Sequence, residues 1–304
     1  MTRGVGIIRR RMKRSLVVLG LSLILAACSG AILPTPTETP APTPTSTPEP
    51  LAARVNGEGI LLADYEDEVA RFEAAQRLLG TDLASLGDYR RQVLQALIDR
   101  TLLAQGAVTA GHELDEAAVD AELEAVAEAR GGNEAMGAWM AENRFTLDSL
   151  KRALRQDGLS AMMIEDITDG VGESADQVHA AHLLVASQAE AEALQGELSA
   201  GADFADLARQ VSLDASTRPA GGDLGWSPRG YLLVPEVDQA AWALGPGETS
   251  GVIQSALGYH IVRVLERGEH ALSPDAGRFL REQAVIAWLQ DRQSTAPIEI
   301  YVAP

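Results

Sequence analysis

Between residues 176 and 265 the chain changes its grammar, and the turn Gly221-Gly222-Asp223-Leu224-Gly225-Trp226 restricts its fold more than any other feature. Three glycines in five residues punctuate the chain and read as a loop running into a strand. Upstream, residues 178–185 read as a strand that ends in the apolar run His182-Leu183-Leu184-Val185. Downstream, Gly258-Tyr259-His260 leads into a further strand over 261–265. Between these, 189–199 reads as a helix stopped by Gly201, and 204–211 as another with Phe204, Leu207 and Ala208 inward. A strand, helices and then strands make an α+β unit of about ninety residues.

The preceding segment has a different periodicity. Residues 52–62 read as a small extended element, with Asn56-Gly57 turning between Arg54-Val55 and Ile60-Leu61. Asp64 is expected to cap a first helix carrying Val69 and Phe72. A longer helix follows from about Asp88, with Val93, Leu94, Leu97, Ile98 and Leu102 at three-and-four spacing and Gly111 at its end. Asp115, Asn133 and Thr146 are expected to cap three more, which carry Val119, Leu123 and Val126, then Met136, Trp139 and Met140, then Leu147, Leu150 and Leu154. At the far end Ser273-Pro274 predicts a helix start with Leu280, Ala284 and Trp288 on one face. An alternating strand over 298–302 closes the chain.

The N-terminus reads as an address. Arg3, Arg9, Arg10, Arg11, Lys13 and Arg14 precede an apolar stretch from Leu16 to Ala27, short of the ~20 residues of a mature span. Leu25-Ala26-Ala27-Cys28 resembles a bacterial lipobox, which implies lipidation of Cys28 and an extracytoplasmic, membrane-anchored lipoprotein. Cys28 is the only cysteine, so it closes no internal disulfide. Residues 31–50 hold seven of the 14 prolines and read as an extended tether. Without residues 1–27 the chain carries 19 basic against 43 acidic residues, a net of −24. That balance opposes nucleic-acid binding, which depends on neutralising phosphates. His179 and His182 lie three apart on a strand and so face opposite sides, and no third ligand follows at metal spacing. Neither a metal nor a cofactor is expected. His112 and His270 are expected in solvated loops.

The ordered segments His182–Val185, Gly221–Trp226 and Gly258–Val262 resemble the parvulin (PpiC-type) peptidyl-prolyl isomerases. Ala53-Arg54-Val55-Asn56-Gly57-Glu58, followed by Leu97-Ile98-Asp99-Arg100-Thr101-Leu102-Leu103, resembles the N-terminal chaperone domain of SurA- and PrsA-like foldases. The resemblance implies a parvulin-like domain, a small antiparallel sheet with surrounding helices, inserted into a mainly helical chaperone domain. The expected divisions are a signal peptide over 1–27, a lipidated cysteine and tether over 28–50, the helical domain over 51–174, the isomerase over 175–268, and a C-terminal helix and strand over 269–304 that return to the helical domain.

The resemblance also implies a site. His182 and His260 face each other beneath the substrate, Asp214 stands where parvulins carry Cys or Asp, and Ser255 supplies a hydroxyl to the same network. Leu224, Leu232, Leu233 and Val237 match the apolar positions that grip proline. Leu-Leu and Val237 replace the usual Met and Phe, and Trp226 and Tyr259 are the candidates to restore aromatic surface. With no cysteine in the folded part, chemistry here is noncovalent. The sequence leaves open whether the histidines act on the amide or hold the network. No basic cluster follows the first strand at 186–190, so a phosphorylated substrate is not expected. The implied function is proline isomerisation in unfolded, newly secreted polypeptides; the alternative is a holdase whose parvulin domain serves client binding.

Overall fold

The computed structural model describes residues 49–302; the signal segment, Cys28 and residues 29–48 of the tether lie outside the described residues. Strands β1 (Leu51–Val55) and β2 (Glu58–Leu61) form a hairpin. Its turn residues Asn56 and Gly57 have φ of 51° and 87°, both positive as a type I′ turn requires. Helix α1 (Leu62–Leu78) follows without a linker. Leu61 therefore occupies the capping position and Asp64 falls inside the first turn, where it pairs with Arg152 at 2.9 Å rather than capping.

Helices α2 (Tyr89–Ala110), α3 (Glu116–Ala129), α4 (Asn133–Glu142) and α5 (Leu147–Asp169) complete the helical body. Asp88 and Asp115 cap α2 and α3, and Thr146 caps α5 in a reciprocal box with Ser149. Gly132 takes the capping place before α4, so Asn133 is its first helical residue. The expected stripe of α2 is buried, and Val93, Leu97 and Ile98 pack with Val55, Ile60 and Tyr65. The chain's last elements join this body. Helix α9 (Pro274–Thr295), capped by Ser273, brings Trp288 and Leu289 into its core, and β7 (Ile298–Ile300) pairs antiparallel with β1. Beginning and end of the described chain thus share one sheet, ordered β2-β1-β7.

The excursion between α5 and α9 forms a second sheet, ordered β4-β3-β6-β5 and antiparallel throughout. It leaves on β3 (Ser174–Val185) and returns on β6 (Gly258–Ala271), which pair along their whole length from Ser174↔Ala271 to Val185↔Tyr259. Helices α6 (Gln188–Ser199) and α7 (Phe204–Val211) cover one face over Ala181, Leu183, Val185 and Ile261. Helix α8 (Pro235–Ala243) covers the other over Val178, Ala180, Val262 and Val264. The period of two along β3 and β6 assigns each side chain to its layer. His270, expected in a loop, instead lies in β6. No helix among the described residues is long and apolar enough to cross a membrane.

Candidate functional site

The α8 face of the sheet opens into a cavity of about 480 Å³. Its apolar wall comes from Leu224, Leu232, Val234 and Val237, with Leu233 and Leu257 at the mouth, and His182, Asp214, Ser216, Thr217 and Ser227 face them. Val237 is buried, whereas Leu233 is 99% exposed. Leu224 reaches this wall because of a bulge. In the pairing of β3 with β4 (Asp223–Pro228), Ala180 opposes Gly225 and Ala181 opposes Asp223, which leaves Leu224 unpaired and turned to the side of Ser227.

All four expected polar residues are brought together in one chain of contacts. Asp214 Oδ2 lies 2.7 Å from His182 Nε2, His182 Nδ1 lies 3.4 Å from His260 Nδ1, and His260 Nε2 lies 2.7 Å from Ser255 Oγ. Thr217 and Ser216 donate their hydroxyls to Asp214 at 2.6 Å each, and the Ser216 N–H donates at 3.0 Å. Burial by itself raises the Asp214 carboxyl. The bonds from Ser216, Thr217 and His182 outweigh it and hold the group well below the usual carboxylate range. An ionised Asp214 accepts only, so a neutral His182 donates through Nε2. Its Nδ1 then accepts from the His260 Nδ1–H, and His260 Nε2 accepts from the Ser255 hydroxyl. Ser255 Oγ in turn accepts the Leu257 N–H at 3.0 Å. Every hydrogen bond in the relay has one direction, set by one carboxylate.

The relay reaches the cavity only at its Asp214 end. His182 and Asp214 line the cavity, whereas His260 is fully buried and the half-buried Ser255, bonded to it, does not line the cavity. Trp226 and Tyr259 are displaced from their expected place. Strand alternation turns Trp226 away from the side of Ser227, and its ring stacks on His179 and, at 4.4 Å, on His270. Tyr259 precedes His260 on β6 and so faces the other layer, where it packs with the Leu183 cluster. His179 is likewise separate from His182, bonding Asp223 at 2.8 Å. Sequence reasoning missed Ser216, Thr217 and Ser227 on the polar side, and Tyr231, Val234 and Leu257 on the apolar side. The first of these was signalled by Asp214-Ala215-Ser216, since an aspartate that accepts the N–H two residues on is an Asx turn.

A cleft of about 300 Å³ in the helical body is lined by Asp64, Arg71, Trp139, Phe145, Arg152 and Asp157, among others. Its charges are mutually paired, Arg71 with Glu68 at 2.6 Å and Arg100 with Asp157 at 2.9 Å. It offers no free group for chemistry.

Burial, and then the neighbouring His182, lower the pKa of His260. An unfolded histidine takes up its proton near pH 6.5. Between the folded and unfolded values the unfolded chain binds more protons, so stability rises with pH and falls on acidification below about 6.5. Asp214, with its folded pKa depressed, contributes stability that is present above about 3.9 and lost only below that range. The urea midpoint is therefore expected to fall between pH 7.5 and 5.0, and to fall less in His260→Gln. Equal falls in both proteins would remove His260 as the cause.

The sequence matches two family models. Residues 177–266 match the model of the PPIC-type PPIase domain, and residues 7–168 match that of the SurA-like N-terminal domain. The chaperone SurA of Nitrosospira multiformis is 38% identical over 149 residues, covering 43% of this chain and 33% of that protein. The foldase protein PrsA of Halalkalibacterium halodurans is 31% identical over 197 residues, covering 59% and 58%. This chain thus spans about a third to three fifths of the length of these curated relatives. Among solved structures, the peptidylprolyl isomerase PrsA of Bacillus cereus aligns at 20% identity and a TM-score of 0.45, over 79% of this chain and 86% of that one. More than half of the sequence falls within one family model and most of the second sheet's lobe within the other: the chain belongs to the SurA-like N-terminal domain family and carries a PpiC-type parvulin domain.

Proposed function

We propose that the protein is a peptidyl-prolyl cis/trans isomerase and foldase, acting noncovalently on exported unfolded polypeptides. The observation that carries this reading is the meeting of an apolar cavity with the ordered Asp214–His182–His260–Ser255 relay. An X-Pro amide resists rotation by about 20 kcal/mol. No bond needs to break. The site has to hold the ring, exclude water and favour the twisted amide, in which conjugation is lost and polar groups of fixed orientation gain. Leu224, Leu232, Leu233 and Val237 take the prolyl ring, and Asp214 and His182 face the amide. His260 and Ser255 act through His182, because neither reaches the cavity. Trp226 and Tyr259, which face elsewhere, have no part in binding.

In this reading residues 175–268 are the isomerase, and residues 51–174 with 269–304 form the body that holds clients. The acidic surface favours clients that are basic or neutral. A diacylated Cys28 would anchor the protein at the outer face of a bacterial membrane, with residues 29–50 as a tether. A second reading, a holdase with little isomerase activity, is supported by Val237, whose aliphatic side chain gives the ring less contact than an aromatic would. NMR exchange on an Ala-Leu-Pro peptide separates the two. Added protein is expected to accelerate the cis/trans exchange catalytically; a folded protein that binds the peptide without accelerating exchange would establish the holdase.

A further inference from the structure

One wall of the cavity is held from outside its own lobe. Tyr231 lines the cavity, and its ring meets that of Phe279 edge-on, with centroids 5.5 Å apart and planes at 67°. Phe279 belongs to α9, whose far turns carry Trp288 and Leu289 into the core of the helical body. The same ring lies against Gly230, where an added Cβ would come within 3.6 Å of it. From beneath, the Gly230 N–H donates to both oxygens of the buried Asp238 at 3.0 Å. The segment from Gly230 to Val234, which supplies Tyr231, Leu232, Leu233 and Val234 to the cavity, is therefore clamped between a carboxylate of α8 and an aromatic ring of α9. Phe279 is half-buried and enters none of the apolar clusters among the described residues, and its ring meets Tyr231 and Gly230.

We infer that Phe279 is a positioning residue for the isomerase cavity, and that the helical body thereby sets the shape of the proline-binding wall. The inference rests on the isomerase reading above. A wall that binds ground state and transition state alike affects KM more than kcat. In the full chain, Phe279→Ala is expected to raise KM for the Ala-Leu-Pro peptide about tenfold with kcat nearly unchanged, as loss of an apolar contact does. Phe279→Tyr, which keeps the ring, is expected to stay within about twofold of the parent. Methyl NMR of Leu232, Leu233 and Val234 provides a readout independent of activity: their resonances are expected to move in Phe279→Ala and to return in Phe279→Tyr. Unmoved methyl resonances in Phe279→Ala overturn the inference, whether or not the parent is active. An active parent whose KM is untouched by the Ala variant overturns it too. Moved methyls with an inert parent leave the positioning contact standing and sink the isomerase reading alone.

Discussion

Asp214→Ala is expected to lower kcat/KM for X-Pro isomerisation about a hundredfold, equivalent to about 2.7 kcal/mol of transition-state stabilisation, with circular dichroism unchanged. The size follows from the position of Asp214 at the head of the relay. Its two oxygens accept from His182, Thr217, and the hydroxyl and N–H of Ser216. Without them the His182 Nε2–H has no partner, and the imidazole is free to adopt the other tautomer. His260, whose ring nitrogens meet only His182 and Ser255, then loses its fixed direction, and the Ser255 hydroxyl loses it in turn. Asp214→Asn is a sharper probe. Its carboxamide NH₂ accepts nothing, so however the amide is turned either the His182 bond or the Ser216 N–H bond loses its acceptor, and the hydroxyl beside it has to turn from donor to acceptor. Turned with NH₂ toward His182, it also forces Nε2 to accept and reverses each bond as far as Ser255. The Asn variant should therefore be nearly as impaired as the Ala variant despite its almost identical shape. Parent-like activity in Asp214→Asn would mean that the carboxylate's charge and acceptors are irrelevant to the reaction. Exchange NMR across a pH series separates the cases further, because the parent's carboxylate stays ionised far into acid.

Local physics was legible in the sequence, and long-range geometry was not. The caps Asp88, Asp115 and Thr146 could be read because a capping side chain bonds within three residues of itself. Asp64 misled because β2 runs straight into α1, leaving no non-helical residue for it to occupy. The pairing of His182 with His260 came through resemblance, and the strand period supports it: each lies in the α8-facing layer. That same period ruled out Tyr259, since neighbours on a strand face opposite ways. Leu224 and Trp226 are two apart and would share a face in a regular strand, so their separation needed the bulge in β4, which no periodicity announces. The contact of Tyr231 with Phe279 joins residues in different lobes and has no sequence signal at all.

The second large effect lies in the glycine pair, and it is one of stability. Gly222 has φ +82°, and a Cβ placed on it would stand 2.1 Å from the carbonyl oxygen of His182. The approach is close because the two backbones are bonded: the His182 N–H donates to the Gly222 oxygen at 2.8 Å. Backbone on both sides leaves no flexible side chain to yield, so Gly222→Ala has to push the loop away from β3 and break that bond. We expect a loss of about 3–5 kcal/mol, the strain of a positive φ plus the clash. Gly225 is the control within the same turn. Its φ is +70°, yet nothing lies within 4 Å of an added Cβ. Gly225→Ala should therefore cost only the conformational part, about 1–2 kcal/mol. Urea unfolding of the two variants beside the parent measures the difference directly. Equal losses would mean that the chain needs glycine here for its dihedral angles alone. A larger loss at Gly222 would show that the turn is built around close backbone contact with β3, the contact that seats His182 in the wall of the cavity.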